Sequence, residues 1–500
     1  MKRRLLQHFL MSFIFLNPLL FAGASANSFT FLWTGNSTLN PANWSDPANW
    51  LNLDTEEVPT SLPADGDMLI DGAWTVYVTT SAITGSVQLS GGATLIINAG
   101  AILTTQEGGL DGSHGIRLDL MAGPIATGNY PGAAFSGQSA SCTLVVRGTL
   151  NINVAAAANQ RAPKAGWYIN ESNFGIVEST GKVNIIVAGT DGMEIAGILN
   201  NNGNITITDP EDSGIQINSG GEITIGASGN LTVSGGAECL NFRSNSMMTN
   251  NGTVQLSGAS TGTIIKAGSP WNFFNNKNFR GSGLVERAKF FVHGPGSALM
   301  PGPSTGCLTF ENGTSSVSLS GVTLYIQANG NTACTGYDQI IFSGSEDVGI
   351  AGAELQLTIG ADYAPNGIIT ILEASAGVVS GTFNSVTVNN SSYTVDYNAS
   401  AVSFSADGVT NTRSVALAGK NKWALYPALA RDVVTVEWQE GFAGSFAIDV
   451  FNLSGQNVCH REAPAQTPVL EIPVRHLPPG MYWVAIRHNG VVETKRFVKE

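Results

Sequence analysis

Charge is scarce in this chain: of 500 residues only 12% are Asp, Glu, Lys or Arg, against about a quarter in an ordinary soluble domain. Cations are scarcest, with 24 Lys+Arg against 37 Asp+Glu and a formal charge of −13. That balance excludes nucleic acid as a partner, because phosphate neutralisation needs basic patches. It also leaves no cationic track for an acidic polysaccharide. Low charge does not mean disorder here, since 43% of residues are hydrophobic. The five cysteines form no C-x-x-C and no Cys/His cluster, which argues against a cysteine metal site. Beyond residue 26 no apolar run approaches the roughly 18 residues of a membrane helix, so the mature chain is expected to have no membrane-spanning segment. There is no P-loop, no HExxH, no dinucleotide fingerprint and no Ser/His/Asp order. What is abundant is glycine, 59 residues without a Gly-X-Y period, which points to many tight turns rather than collagen.

Residues 1–26 read as a secretory signal peptide. Lys2, Arg3 and Arg4 precede an apolar stretch over 9–20, and Ala24-Ser25-Ala26 is a small-residue cleavage site. Removing the three cations takes the formal charge to −16. An exported chain enters an oxidising compartment, and Cys307 and Cys334, close in one segment, are the pair placed to bridge. With Cys142, Cys239 and Cys459 left over, at least one thiol stays unpaired within the chain.

From 87 to 295 the text is short apolar alternations broken by Gly and Asn, and no stretch keeps a helical 3.6 period. One strand family starts Gly-x-apolar-x-apolar: Gly148 to Ile152, Gly181 to Ile185, Gly203 to Ile207, Gly221 to Ile225, Gly229 to Val233 and Gly252 to Leu256. A second interleaves with it, carrying Met193-Glu-Ile195, Ile215-Gln-Ile217, Cys239-Leu-Asn-Phe242 and Thr263-Ile-Ile265. Its members recur every 22 to 25 residues. Period two means one buried face, and a fixed period of this length with two or more strands per turn predicts a parallel β-helix. A β-sandwich or propeller is the rival, but a propeller needs a repeat of about 40–50 residues, which is not seen. The Asn clusters at 200–202 and 250–251 suit corners, through left-handed backbone angles or hydrogen-bonded ladders.

A solenoid needs caps over its open ends. Residues 27–86, with Trp33, Trp44, Trp50 and Trp74, are the expected first cap, the indoles either plugging the solenoid or offering a sugar-stacking surface. Asp65-Gly66-Asp67 shapes a turn or holds a hard cation. In the solenoid, stacking brings equivalent positions about 4.8 Å apart. It makes neighbours of Asp191 and Asp212, with Asp209 and Glu211 at the same corner. This is a solvated turn, a Ca²⁺ site, a contact for a basic partner or a catalytic pair. Glu194 aligns with Gln216, so that position offers one carboxylate. Asp111, His114, Arg117 and Asp119 form a mixed cluster fit for salt bridges or acid/base work. Trp167, Tyr168 and Glu171 line a groove or pack a loop.

Leu299-Met-Pro301-Gly302-Pro303-Ser304-Thr-Gly306 opens a segment, 296–412, that resembles the late part of autotransporter-type β-helical passengers. Tyr337-Asp338-Gln-Ile340, Gly352 to Leu355, Tyr363-Ala-Pro365 and Gly381-Thr-Phe383 follow in the same order. The resemblance implies that the β-helix continues or is closed by a β-rich cap. The chain departs from true autotransporters at its end, where some 80 residues are too few for the dozen strands of a translocating barrel.

Residues 413–500 differ in composition. From 420 onward 9 Lys+Arg stand against 8 Asp+Glu, whereas 27–419 hold 12 against 29. Five or more alternating strands here predict a small immunoglobulin-like sandwich. Leu425-Tyr426-Pro427, Asp432 to Val436, Val450-Phe-Asn452-Leu-Ser-Gly455, Leu477-Pro-Pro-Gly480-Met-Tyr482 and Lys495-Arg496-Phe497-Val498-Lys499 together resemble the type A C-terminal sorting domain of the Bacteroidetes type IX secretion system. Where that family has Asn-Pro after Tyr-Pro, this chain has Ala428-Leu429. The resemblance implies export by the type IX machinery, with Gly455, Gly480, Tyr482, Lys495, Arg496 and Lys499 in the sorting signal. It also implies a secreted or outer-membrane surface location reached through the periplasm.

The expected molecule is therefore all-β: a Trp-rich cap, a parallel β-helix and a C-terminal sandwich. Its expected work is that of a non-catalytic adhesin or surface stalk meeting glycans or other surface components, with no obligatory cofactor. The alternatives are a carbohydrate-active lyase or hydrolase, which this fold often hosts, and a structural surface-layer component.

Overall fold

The computed structural model describes residues 30–106, 114–118, 141–154, 165–187, 191–406 and 423–500, apart from short breaks at 63, 65, 269, 289–290, 314–315, 345–346, 362, 364–366, 390–392, 427–428, 439–445, 453–455, 464–468 and 489–490. Residues 1–26, expected to be a signal peptide, lie outside the described residues. The chain divides into two units, Met1–Ser297 and Ala298–Glu500.

The first unit is a three-sided parallel β-helix. Sheet 1 stacks Met68–Asp71, Val87–Ser90, His114–Leu118, Ala165–Ile169, Asp191–Ile195, Ser213–Ile217, Glu238–Phe242, Thr263–Ala267 and Gly283–Val285. Sheet 2 runs from Thr75–Val78 to Phe291–His293, and sheet 3 from Ala82–Thr84 to Asn278–Gly281, in the same one-strand-per-rung order. The two strand families of the sequence are thus three. Five of the Gly-x-apolar strands lie in sheet 3, but the one at Gly221 forms Glu222–Ile225 of sheet 2. Sheet 2 escapes the pattern in part because three of its strands end on Asn201, Asn250 and Asn275, all fully buried where an apolar residue is expected.

Alternation in sheet 3 fills the core. Leu150, Val183, Ile205, Leu231, Val254 and Phe279 stand in one register column, and none is more than 1% exposed. Each buried side chain of this size contributes about 1.5–3 kcal/mol. Farther along, Phe273 stacks on Phe291 at 4.5 Å and Trp271 packs on Phe242 at 4.6 Å.

The recurring glycine of these strands has a steric reason. A Cβ on Gly181, Gly203, Gly229 or Gly252 would sit 2.2–2.3 Å from a carbonyl oxygen of the rung below. Backbone φ is not the cause, since none of the four has a positive φ. Of the two roles expected of the corner asparagines, left-handed backbone is not the one used. The left-handed non-glycine residues among those described are Glu56, Ser172, Asp209, Asn245, Arg287 and Cys334, outside both clusters. Side-chain bonds hold the corners instead. Asn250 Nδ2 donates to Asn275 Oδ1 and to Asn278 O, both at 2.8 Å, while Gly252 N–H donates to Asn250 Oδ1 at 3.0 Å. The bonds from Asn250 to Asn275 and from Asn276 to Asn251 are the laddering anticipated there, and on the outer surface Asn184 donates to Asn151 at 2.9 Å and Asn230 to Asn204 at 3.0 Å.

At the N-terminal end, Phe31–Trp33 pairs antiparallel with Trp50–Asn52 and parallel with Met68–Asp71. Trp33 and Trp44 each meet Trp50 edge-on at 4.9 Å, and Trp50 Nε1 donates to Trp44 O at 2.8 Å. Buried Asn49 ties the loop by donating to Asn40 O and Asn43 O and accepting from Ser37 N–H. These three indoles are at most 2% exposed, so they pack and present no sugar platform. Trp74 is the exception at 40% exposed.

In the second unit parallel stacking recurs: Cys307–Gly313, Gln339–Gly344 and Ile369–Ala374 form one run, and Thr323–Ala328, Glu354–Ile359 and Ser385–Val388 another. Ala401–Ala406 then lies antiparallel on Ile369–Ala374, with Tyr393–Tyr397 beside it. An antiparallel strand ends the parallel stacking on that side. Cys307 and Cys334 are disulfide-bonded, 27 residues apart. Cys142 and Cys239 are free and buried, and Cys459 is free and half-buried.

Residues 423–500 form two sheets around a shared core. Trp423–Tyr426, Val433–Trp438 and Val469–Pro473 are antiparallel. The other sheet orders Leu429–Ala430, Val491–Lys499, Gly480–His488, Phe446–Asn452 and Asn457–Ala463, antiparallel except for its first short strand. Val434, Val436, Ile448, Val450, Ile472 and Val484 are among the core residues.

Candidate functional site

Two places carry chemistry beyond packing: the outward face of sheet 1, and the C-terminal sandwich. On sheet 1 the register sets Tyr168, Glu194, Gln216, Asn241 and Lys266 in one outward column and pairs Arg117 with Tyr168. Inward neighbours such as Trp167, Met193, Ile215 and Leu240 are fully buried. Trp167 is therefore core, whereas Tyr168 stands in the column and donates to Asn170 Oδ1 at 3.2 Å. Glu171 is exposed.

The carboxylates here are held by hydrogen bonds. Asp191 Oδ1 accepts from Ser213 N–H of the next rung at 2.9 Å, and Asp191 is 7% exposed. Glu194, 3% exposed, accepts from Asn218 Nδ2 at 2.8 Å and from Gln216 Nε2 at 3.4 Å, and Gln216 accepts from exposed Arg243 at 2.7 Å. Glu238, 2% exposed, is ion-paired with Lys266. Asn241 donates to Ser213 Oγ at 3.3 Å. Burial pushes the Asp191 carboxyl up to about 7, with the Asp212 and Glu194 charges adding to the rise and the Ser213 N–H opposing it. The Glu238 carboxylate beside Lys266 raises that ammonium above its ordinary range.

Asp212 thus does act on Asp191, as the spacing suggested, but Asp191 registers with Ser213 rather than with Asp212. Asp209 takes a left-handed φ of 47° at the corner, where its N–H donates to Ser234 O. Among the described residues no group of three or more His, Cys, Asp or Glu is placed to hold a metal ion. Asp67, 6% exposed, accepts from Ser86 Oγ of the next rung at 2.6 Å, a bond between rungs rather than within a turn, and Asp65 lies outside the described residues. His114 and Arg117 fall on sheet 1, whereas Asp111 and Asp119 lie outside the described residues. Glu238, Asn241 and Lys266 were missed from sequence, although Glu238 follows Ser213 at the same 22-to-25-residue step.

In the sandwich, alternation divides the motif residues between two faces. Tyr482 is 5% exposed, stacks on Phe497 at 5.5 Å and donates its hydroxyl to Pro478 O at 2.8 Å. Lys499 is 8% exposed and its ammonium donates to Glu500 O. Lys495 is half-buried, and Arg496 is exposed. Gly480 opens the strand that carries Tyr482, and Gly455 lies outside the described residues. Buried Asp449 accepts from Asn457 Nδ2 and meets His460 Nδ1, both at 2.7 Å.

Residues 424–500 match the family described as the secretion system C-terminal sorting domain. Residues 424–500 are a type IX secretion C-terminal sorting domain. The sorting domain marks the chain for export to the cell surface or beyond, and the machinery of that system is a partner. No curated protein matches the chain. Among the described residues no helix is long and apolar enough to cross a membrane.

Proposed function

We propose that this sorting-domain cargo is a non-catalytic surface adhesin or stalk, led into the periplasm by residues 1–26, whose β-helix meets glycans or other surface components. The observation that carries this reading is the commitment of the sheet 1 carboxylates. Asp191, Glu194 and Glu238 are each buried and bonded to a neighbouring rung, to Ser213, to Gln216 and Asn218, and to Lys266. A glycosidase needs two carboxyls facing an open cleft, one able to give a proton and the other to take one or attack. Here the bonds between rungs use the acids as fasteners, and a chain of fastened rungs is what a stalk requires.

One observation favours the alternative, a carbohydrate-active enzyme: a carboxyl held near 7, as Asp191 is, is a competent proton donor at neutral pH. The secreted protein incubated with a panel of polysaccharides separates the two. A stalk or adhesin binds some of them and releases no new reducing ends or unsaturated products. Product release that disappears in D191N would establish the enzyme and overturn the proposal.

A further inference from the structure

We infer that the exporter recognises the folded sorting domain through the outward face of its five-stranded sheet, using a protein surface that sets a carboxylate in an apolar recess. This rests on the export reading and names the contact that export requires. The inward face is unavailable, because Tyr482, Val484, Ile486 and Phe497 are spent on the core. The residues left facing out are of another kind. Trp483 lies between Phe451 and Arg496 in register, and Met481 lies beside Val498 in the adjacent row. Trp483 is 38% and Val498 39% exposed, while Phe451 and Met481 are half-buried. An indole and a valine left in water on a flat sheet face mark an interaction site when they are contiguous. Arg496 is exposed and has no ion pair among the described residues, so its guanidinium is free to complement an acid. Tryptophan and arginine are also among the residue types enriched at the hot spots of protein interfaces.

The test uses the full chain in a host that carries the type IX system, with surface and periplasmic amounts measured for each variant. W483S combined with R496E should lower the surface fraction at least tenfold, and R496E alone at least threefold. Thermal unfolding of the purified variants should stay within a few degrees of the parent. If the double variant unfolds early, R496E alone decides, since that side chain is exposed and makes no ion pair to lose. Parental export of R496E would overturn the carboxylate, and parental export of a folded double variant would overturn the face. Deletion of 413–500 serves as the control. Normal export of that deletion would sink the export reading itself, whereas blocked deletion with parental export of the variants would sink only the face.

Discussion

Replacing Asp191 by Asn should stabilise the solenoid above neutral pH and do little in acid. The folded carboxyl sits near 7 against 3.8 when free in solution, chiefly because it is buried. Between those two values the folded state holds a proton that the unfolded state has released, so stability falls as pH rises. Above about 7 the full cost is in force, and below 3.8 it vanishes. A shift of about three units at about 1.4 kcal/mol each sets a ceiling near 4 kcal/mol. Asn keeps an oxygen for the Ser213 N–H and carries no charge, so D191N should recover about 2–4 kcal/mol at pH 8. For residues 30–406, an unfolding entropy of roughly 2 cal/mol/K per residue turns ~3 kcal/mol into a Tm rise of about 4 °C. Scanning calorimetry of parent and variant at pH 4 and pH 8 is the assay. Equal Tm differences at the two pH values, or a lower Tm for D191N at pH 8, would refute the reasoning.

Four further outcomes follow from the packing. Gly203→Ala places a Cβ 2.3 Å from Gly181 O and 2.4 Å from Glu178 O, so denaturant titration should show a loss of about 2–3 kcal/mol or more. Gly100→Ala meets nothing within 4 Å and should cost only the strain of its φ of 84°, about 1 kcal/mol. Asn250→Ala removes three hydrogen bonds from a fully buried corner and should cost about 2–4 kcal/mol by the same titration. Opening the 27-residue Cys307–Cys334 loop with paired serines should lower stability by roughly 3–4 kcal/mol, measured against the oxidised parent, and added reductant should leave the serine variant unchanged.

How much of this was legible in the sequence depended on whether a residue type tells its direction. The sheet 3 strands announced themselves because Ile, Val and Leu alternate with Asn and Thr after a glycine. Sheet 2 did not, because inward Asn201, Asn250 and Asn275 look like loop residues until their side-chain bonds are seen. Of the two roles expected of the corner asparagines, left-handed backbone and side-chain ladders, the ladders are the one found, Asn250 bonding to Asn275 and Asn276 to Asn251. The three packed indoles were legible as a plug, but nothing in the text told Trp74 from Trp33, Trp44 and Trp50. On sheet 1 the 22-residue step brought Asp191 to the rung of Ser213 and Asp212. The Glu238–Lys266 pair was hidden because it is diagonal: Lys266 stands in register with Asn241, three residues on from Glu238, so its partners lie 28 residues apart and off the repeat. The sorting domain was the most legible part, since its motif order survives in the sequence. Which motif residues face out still needed the register of Val491–Lys499 on Gly480–His488.

The export claim is tested most directly by fractionating cells that express the parent and a deletion of residues 413–500, with mass spectrometry of both chain ends. The account predicts a surface or released parent starting near Asn27, with the deletion held in the periplasm. Surface delivery of the deletion equal to that of the parent would contradict it.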